Sequence, residues 1–223
     1  ARQGARVTAI DANAESLKYA KAAAERNGVA GNIEFVHSHF YDFEPKEKAD
    51  VVLCEMLSSV MLIEQQIPAS RYAVKHLLKP NGKIIPQQVT LFAIPVQNET
   101  LWNRFHIEDL KFPRIPQTVD MKQSIDLADL QELEKFDLTK DSNQPLCIDK
   151  HLNFEIVQSG TVHGIIGMFE SKLYDDITLT MKDGWRELFM PLPESVDVKV
   201  GTRLDVRVSF NPGEYDSLII EIE

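Results

Sequence analysis

Cysteine is scarce in this sequence. The chain holds 2 cysteines, Cys54 and Cys147, in unlike sequence contexts. A disulfide framework or a cysteine-rich zinc site needs more cysteines at close, regular spacing. The sequence therefore predicts free thiols in a reducing compartment, and we expect the protein to reside in the cytoplasm.

Positive charge and long apolar runs are scarce too. Lys and Arg number 24 against 34 Asp and Glu, which gives a net charge of -10. Binding to phosphate backbones needs clustered Lys and Arg, so this balance argues against nucleic acid and favours a basic substrate. No apolar run approaches the ~20 residues of a membrane helix, so we predict no membrane partner.

Apolar runs and amphipathic stretches alternate over residues 1–86. Asn13 is placed to cap the first helix, and Gly28 is placed to end it. Such alternation is typical of βαβ units around a parallel sheet. The predicted strands cover residues 6–11, 33–36, 50–54 and 82–86, and the predicted helices cover residues 14–26 and 64–78.

After Pro86 the pattern changes to strands and turns. It predicts a second, antiparallel β domain over residues 87–223, built as a barrel or a sandwich. An acidic stretch at residues 126–136 is predicted to be helical. The predicted strands cover residues 89–96, 162–170, 176–181, 196–200, 203–210 and 218–222.

Two glutamates nine residues apart, Glu55 and Glu64, carry the strongest functional signal. Glu55 follows the predicted buried strand at residues 50–54, at a carboxyl end of the kind where open α/β sheets bind ligands. Two carboxylates on one apolar loop form a negative clamp, and a guanidinium with its paired N–H donors fits such a clamp best. The plain alternative is a solvated strand-end acid and an acid that favours a helix start.

A second group of candidates lies near the first two predicted strands. Asp11 ends the first strand, where nucleotide-binding α/β folds place an acid on the ribose hydroxyls, although aspartate also caps helices. Phe40 and Tyr41 follow the next strand, where an adenine would lie; plain core packing is their alternative. His37 and His39 have no further ligand indicated, so no metal site is predicted.

Four stretches together resemble the protein arginine methyltransferases, a family that uses S-adenosylmethionine. The nine-residue glutamate spacing in its strand context is a fairly specific part of that resemblance. The resemblance covers most of the chain and is weak over residues 98–149. The four stretches are residues 7–13, 50–64, 79–86 and 162–169.

This resemblance implies an α/β, Rossmann-like class I methyltransferase sheet followed by an antiparallel β-barrel-like domain. It implies methyl transfer from S-adenosyl-L-methionine to a guanidinium nitrogen of arginine in a protein substrate. Glu55 and Glu64 would hold the guanidinium, with Glu64 as a later proton acceptor. Asp11 would bind the cofactor, with Phe40 or Tyr41 near its adenine. Met56 and Trp185 are candidates for the substrate wall.

The resemblance also implies a homodimer. The family's dimerisation arm falls in the weakly matching region, and residues 101–116 are the candidate segment. A loop packed on its own domain is the alternative. The apolar anchors that this segment offers are Leu101, Trp102, Phe105, Ile107, Leu110 and Phe112.

The chain departs from the family at three places that matter. One is the loop after Glu55, where members often have Trp-Met-Gly-Tyr and this chain has Met56-Leu57-Ser58-Ser59, which leaves substrate and product specificity open. The glycine-rich loop after the family's first strand has no counterpart here. We expect that the true start of the protein is missing from this chain and that its central strand is missing with it. The sheet should then be split between the strands that end at Asp11 and Cys54. Many members also have Thr-His-Trp where this chain has Asp183-Gly184-Trp185. Trp185 as plain barrel core is therefore an open alternative.

Two other functions remain open from the sequence. The first keeps S-adenosylmethionine and changes the substrate to RNA or a small molecule. The second is a dimerising scaffold that has lost cofactor binding, suggested by the missing glycine-rich loop and the absent histidine.

Overall fold

The computed structural model describes residues 1–119, 124–142 and 146–223. Its first part is α/β, and the predicted strands and helices of residues 1–86 are confirmed there. The strands are β1 (Val7–Asp11), β2 (Ile33–His37), β3 (Ala49–Leu53) and β4 (Leu78–Ile85). The helices are α1 (Ala14–Arg26) and α2 (Gln66–Tyr72), and α2 continues into a π-helical stretch at Ala73–Leu77.

The parallel sheet of this first part is divided, as the sequence predicts. Strand β1 pairs in parallel with β2, and β3 pairs in parallel with β4, but within the described ranges no hydrogen-bonded pairing joins the two sheets. Val51 and Leu53 on β3 are consequently 50% and 74% exposed. Strands inside a continuous parallel sheet are normally covered on both faces.

Helix α1 begins and ends at the residues that the sequence indicates. The Asn13 side chain accepts hydrogen bonds from the N–H groups of Glu15, at 2.9 Å, and Ser16, at 3.4 Å. Gly28 follows the helix with a φ of 67°, in the left-handed region that glycine enters at little cost. Asn13 therefore caps the helix, and the Asp11 carboxylate is not used as its cap.

The second part is antiparallel, as predicted, and forms two main sheets. In the larger sheet the strand order is β10-β5-β12-β14-β8, with β9 on β5 and β13 on β12; in the smaller it is β11-β15-β16. The strands are β5 (Gln88–Gln97), β6 (His106–Ile107), β7 (Leu110–Lys111), β8 (Gln117–Val119), β9 (Ile125–Asp126), β10 (Gln131–Asp137), β11 (Ile148–Glu155), β12 (Gly160–Tyr174), β13 (Ile177–Leu179), β14 (Glu187–Val198), β15 (Arg203–Phe210) and β16 (Ile219–Ile222).

One hydrophobic core is shared by the two sheets and by the loop after β3. Phe154 and Phe210 reach it from the smaller sheet, and Phe169 reaches it from β12. Val60 and Met61, from the loop that carries the two glutamates, are 0% exposed in the same core. Because burial of apolar surface drives folding, this core fixes the glutamate loop against the β part.

In the second part, one predicted element is wrong and one predicted strand is too short. Residues 126–136 are not helical: they contain the end of β9 and most of β10, and β10 pairs with β5 so that Leu133 is 2% exposed. Strand pairing overrides the helix preference of this acidic, leucine-containing stretch. Strand β14 begins nine residues before the predicted strand at 196–200. Pro191 and Pro193 obscure it, because proline weakens a strand prediction.

Among the described residues, no helix has both the length and the apolar character needed to cross a bilayer.

Candidate active site

The first acid, Glu55, lies just beyond the carboxyl end of β3. The preceding N–H, of Cys54, donates to the carbonyl of Ile85 at 2.8 Å, which extends the β3–β4 pairing up to the glutamate. The Glu55 side chain is exposed, and its Oε1 accepts a hydrogen bond from the Leu57 N–H at 3.3 Å. A carboxylate here is held near its own loop while its remaining acceptor positions face solvent.

The second acid, Glu64, returns to the surface two residues before α2 begins. Its backbone N–H donates to Ser58 Oγ at 3.2 Å, so the two ends of the loop are linked through a serine that lies between the acids. The Glu64 side chain is exposed, like that of Glu55. The structure therefore places both predicted acids at the two ends of one short loop with solvent access.

The loop between the acids has a strained backbone. Val60 and Met61 have φ angles of 48° and 56°, although neither is a glycine, and both are 0% exposed. A positive φ is especially unfavourable for a β-branched residue such as valine. Such a conformation costs on the order of 1–3 kcal/mol per residue and persists only where surrounding contacts impose it.

Three contacts from the β part hold the strained loop. Val60 packs over Gly167 on β12, where a Cβ atom on the glycine would lie 2.4 Å from Val60 Cγ1. The Ser59 hydroxyl donates to the carbonyl of Arg186, and the Gly213 N–H donates to the carbonyl of Met61 at 3.0 Å. The β part therefore sets the shape of the loop that carries the acids.

Replacing Gly167 by alanine is expected to lower the free energy of unfolding by about 1–3 kcal/mol, because the added methyl overpacks the loop against β12. Urea denaturation measures this. Gly31→Ala is the matched control, since no atom lies within 4 Å of its added Cβ. Equal stability of the two variants would show that the contact between Val60 and Gly167 does not constrain the loop.

The predicted substrate-wall residues lie next to this loop. Met56 is half-buried and follows Glu55 directly. Trp185 is half-buried and packs edge-on against Phe169 with ring centroids 5.2 Å apart. Its neighbour Arg186 accepts the hydrogen bond from Ser59, so the Trp185 segment contacts the glutamate loop. Gly184 has a φ of 95°, which favours glycine where many family members have histidine.

Asp11 occupies the carboxyl end of β1, beside His37 at the end of β2 in the parallel register. Its Oδ1 accepts a hydrogen bond from the Asn13 N–H at 2.7 Å, and His37 Nε2 contacts the carbonyl of Ala12 at 3.0 Å. Because Asn13 already caps α1, the second carboxylate oxygen of Asp11 remains available to a ligand hydroxyl.

The two aromatic candidates pack against each other, with ring centroids 4.2 Å apart, but differ in exposure. Phe40 is half-buried, whereas Tyr41 is 50% exposed. Tyr41 packs edge-on against Tyr72 at 5.3 Å and lines a cleft of about 350 Å³ beside α2, with Pro68 and Leu146 among the other lining residues. Asp11, Glu55 and Glu64 do not line this cleft.

Sequence reasoning missed three buried polar residues. Gln66 and Ser70, both 0% exposed, lie beneath the glutamate loop, and Glu187 is 1% exposed on β14. Burial raises the pKa of the Glu187 carboxyl to about 7, with a smaller contribution from Asp126. The sequence gives a partial signal only for the first two, which are polar residues on the apolar face of a predicted helix.

Two family profiles match the chain. The profile described as the PRMT5 oligomerisation domain matches residues 88–212, and one described as a methyltransferase domain matches residues 1–82. Since the first covers more than half of the chain, the family is shown. The chain belongs to the protein arginine methyltransferase family, and its first part has the methyltransferase α/β fold.

Three relatives are named as arginine methyltransferases. Protein arginine N-methyltransferase 5 of Oryza sativa subsp. indica is 27% identical over 214 residues, covering 90% of this chain and 33% of the relative. Histone-arginine methyltransferase CARMER of Drosophila persimilis is 26% identical over 250 residues, covering 98% of this chain and 46% of the relative. Probable protein arginine N-methyltransferase 6.1 of Oryza sativa subsp. indica is 33% identical over 99 residues, covering 44% of this chain and 26% of the relative. The chain spans between 26% and 46% of these relatives' length.

A solved structure has the same fold. The Trypanosoma brucei PRMT1 enzyme-prozyme heterotetrameric complex with AdoHcy matches with a TM-score of 0.80 at 18% identity. The match covers 100% of this chain and 78% of the other. At this identity the similarity establishes the fold of both parts.

Proposed function

We propose that the protein transfers a methyl group from S-adenosyl-L-methionine to a guanidinium nitrogen of arginine in a protein substrate. The observation that carries this proposal is the loop with Glu55 and Glu64 at its two ends, exposed, within a member of the arginine methyltransferase family. The net charge of -10 suits a basic protein substrate.

The residues present fit the adenosine part of the cofactor. Asp11 ends a parallel strand and keeps a carboxylate oxygen for the ribose hydroxyls. Phe40 offers a half-buried ring near the end of β2, and Tyr41 is a second candidate at greater exposure. When bound, S-adenosyl-L-methionine supplies an electrophilic methyl group on a sulfonium sulfur.

Glu55 and Glu64 have complementary tasks in this proposal. Both accept hydrogen bonds from guanidinium N–H groups, which orients the group and leaves one terminal nitrogen available for attack. Their negative charges stabilise the positive charge that remains on the guanidinium as that nitrogen reacts. Glu64 accepts the proton released afterwards. Met56 and Trp185 flank the loop and form the walls that exclude water.

The test is a tritiated-methyl transfer assay with the intact protein on separate pools of proteins, RNA and metabolites. We expect label in the protein pool only. Label in RNA or in metabolites would support the alternative substrates. Calorimetry with S-adenosylhomocysteine accompanies the assay, and an intact protein that neither binds it nor transfers label would be a scaffold of the same fold.

We also propose that the protein is a homodimer joined through residues 101–116. Leu101 is 1% exposed, and Trp102 Nε1 donates to the carbonyl of Leu192 at 2.9 Å, so the base of this segment is anchored on its own sheet. The tip is a hairpin of β6 and β7 with exposed apolar side chains. Those are Ile107, Leu110 and Phe112, which are 58%, 61% and 49% exposed.

Replacing Leu110 with aspartate and Phe112 with serine together is expected to shift the protein from dimer to monomer, because it removes the apolar surface that a partner would bury. Sedimentation velocity measures the change. Ile177→Asp is the matched control, since Ile177 is 60% exposed on a different hairpin. A wild-type protein that is already monomeric at micromolar concentration would contradict the proposal.

Two further assignments belong to this proposal. Residues 1–86 form the cofactor-binding domain, and residues 87–223 form the substrate and dimerisation domain. The protein resides in the cytoplasm, in keeping with the free thiols of Cys54 and Cys147.

A further inference from the structure

A buried glutamine lies beneath the loop that carries the two acids. Gln66 is the first residue of α2, two residues after Glu64, and is 0% exposed. Its side-chain Oε1 accepts a hydrogen bond from the Met56 N–H at 2.8 Å. Met56 directly follows Glu55, so one side chain links the backbone beside the first acid to the helix that begins after the second.

The orientation of the Gln66 amide is fixed by its partners. A backbone N–H can only donate, so the oxygen of the amide must face Met56. The nitrogen, Nε2, then donates to Ser70 Oγ at 2.9 Å, one helical turn further along α2. Ser70 is also 0% exposed. The Cys54 thiol contacts both side chains, and burial raises its pKa to about 11, so it stays protonated within this polar group.

These contacts hold Glu55 from both sides. The N–H before it, on Cys54, donates to Ile85 in β4, and the N–H after it, on Met56, donates to Gln66. Elsewhere the loop is held by apolar packing and by the hydrogen bonds of Ser58, Ser59 and Met61 described above. The Gln66 link differs from these contacts because it joins the backbone beside Glu55 to the helix that begins after Glu64.

We propose that Gln66, oriented by Ser70, is a positioning residue that sets the separation of Glu55 and Glu64. This inference rests on the proposed function, because the separation matters only if both acids hold one guanidinium. A displacement of about 1 Å in a reacting group can cost about 100-fold in rate. Gln66 itself touches neither substrate nor cofactor.

The test compares Gln66→Leu with Gln65→Leu in the intact protein. Gln65 is the matched control: it is the adjacent residue, and its Oε1 has no hydrogen-bond partner among the described residues. Gln66→Leu is expected to lower kcat on an arginine peptide by about 10- to 100-fold and to leave S-adenosylhomocysteine affinity within about 3-fold of wild type. Gln65→Leu should keep wild-type kcat.

A rescue variant separates positioning from a general structural role. Gln66→Glu keeps an acceptor for the Met56 N–H, so it should recover kcat to within about 10-fold of wild type, even if its thermal stability is lower than that of Gln66→Leu. A kcat that follows thermal stability across these variants, rather than the presence of an acceptor, would overturn the inference. Rates are expressed per S-adenosylhomocysteine-binding molecule, so partial unfolding does not mimic the effect.

Each remaining outcome decides a different point. If the wild-type protein methylates arginine and Gln66→Leu has the same kcat, this inference is overturned and the proposed function stands. A wild-type protein that methylates no arginine peptide overturns the proposed function and this inference with it. If Gln66→Leu loses S-adenosylhomocysteine binding, Ser70→Ala replaces it. That variant releases only the Nε2 end of the amide and should lower kcat about 5-fold, and an unchanged kcat contradicts the inference.

Discussion

Replacing Glu55 by glutamine is expected to lower methyl transfer to arginine by about 100- to 1000-fold, the range typical for loss of one preorganised electrostatic contact to a transition state. The variant keeps the size of the side chain and an acceptor for the Leu57 N–H, which Glu55 Oε1 holds at 3.3 Å. It loses the negative charge that, in the proposed function, stabilises the guanidinium. The measurement is the initial rate of label transfer from tritiated S-adenosyl-L-methionine to an arginine peptide.

Two comparisons sharpen this result. S-adenosylhomocysteine affinity, measured by calorimetry, should stay within about 3-fold of wild type, because the proposed function assigns cofactor binding to Asp11 and not to Glu55. Glu132→Gln is the matched control, since Glu132 is an exposed acid on β10, and its rate should equal that of wild type. Full activity of Glu55→Gln would end the interpretation of the two acids as a guanidinium clamp.

Replacing Glu187 by glutamine is expected to raise the free energy of unfolding by about 2–3 kcal/mol at pH 8 and to leave it nearly unchanged at pH 4.5. Burial of this 1% exposed carboxyl raises its pKa from 4.5 to about 7. The folded protein therefore binds more protons than the unfolded chain between these values, and its stability falls as the pH rises from 4.5 to 7. A neutral glutamine has no such cost, because it does not ionise.

Urea denaturation of wild type and variant at pH 4.5 and pH 8 measures this difference. The control is Glu170→Gln, at an exposed position on the neighbouring strand β12. Its free energy of unfolding should stay within about 0.5 kcal/mol of wild type at both pH values. A Glu187→Gln variant that is less stable than wild type at pH 8 would refute the prediction, because it would mean that the ionised carboxylate has a stabilising partner.

Local patterns were sufficient to predict the first part of the fold. The strand ending at Asp11, the cap at Asn13 and the helix end at Gly28 depend on neighbours in sequence, and the structure has all three. The divided sheet was predicted from the family resemblance, because the family has a further strand between the positions of β1 and β3. These features need no information from distant parts of the chain.

Features that depend on distant contacts were not predictable. The stretch at residues 126–136 has helical composition and becomes strand because β5 pairs with it. Strand β14 contains two prolines, and only its neighbours β12 and β8 reveal it. The same holds for the candidate site. The spacing of the acids is visible in the sequence, but the support from Gln66 and the burial of Glu187 arise from tertiary packing.

The central claim is that the paired acids receive an arginine side chain, and a matched pair of peptides tests it most directly. The two peptides differ only in one residue, arginine or lysine, and each is incubated with the intact protein and labelled S-adenosyl-L-methionine. After hydrolysis, the account predicts label in methylated arginine from the first peptide and none from the second. Label in methylated lysine, or equal label from both peptides, would contradict it.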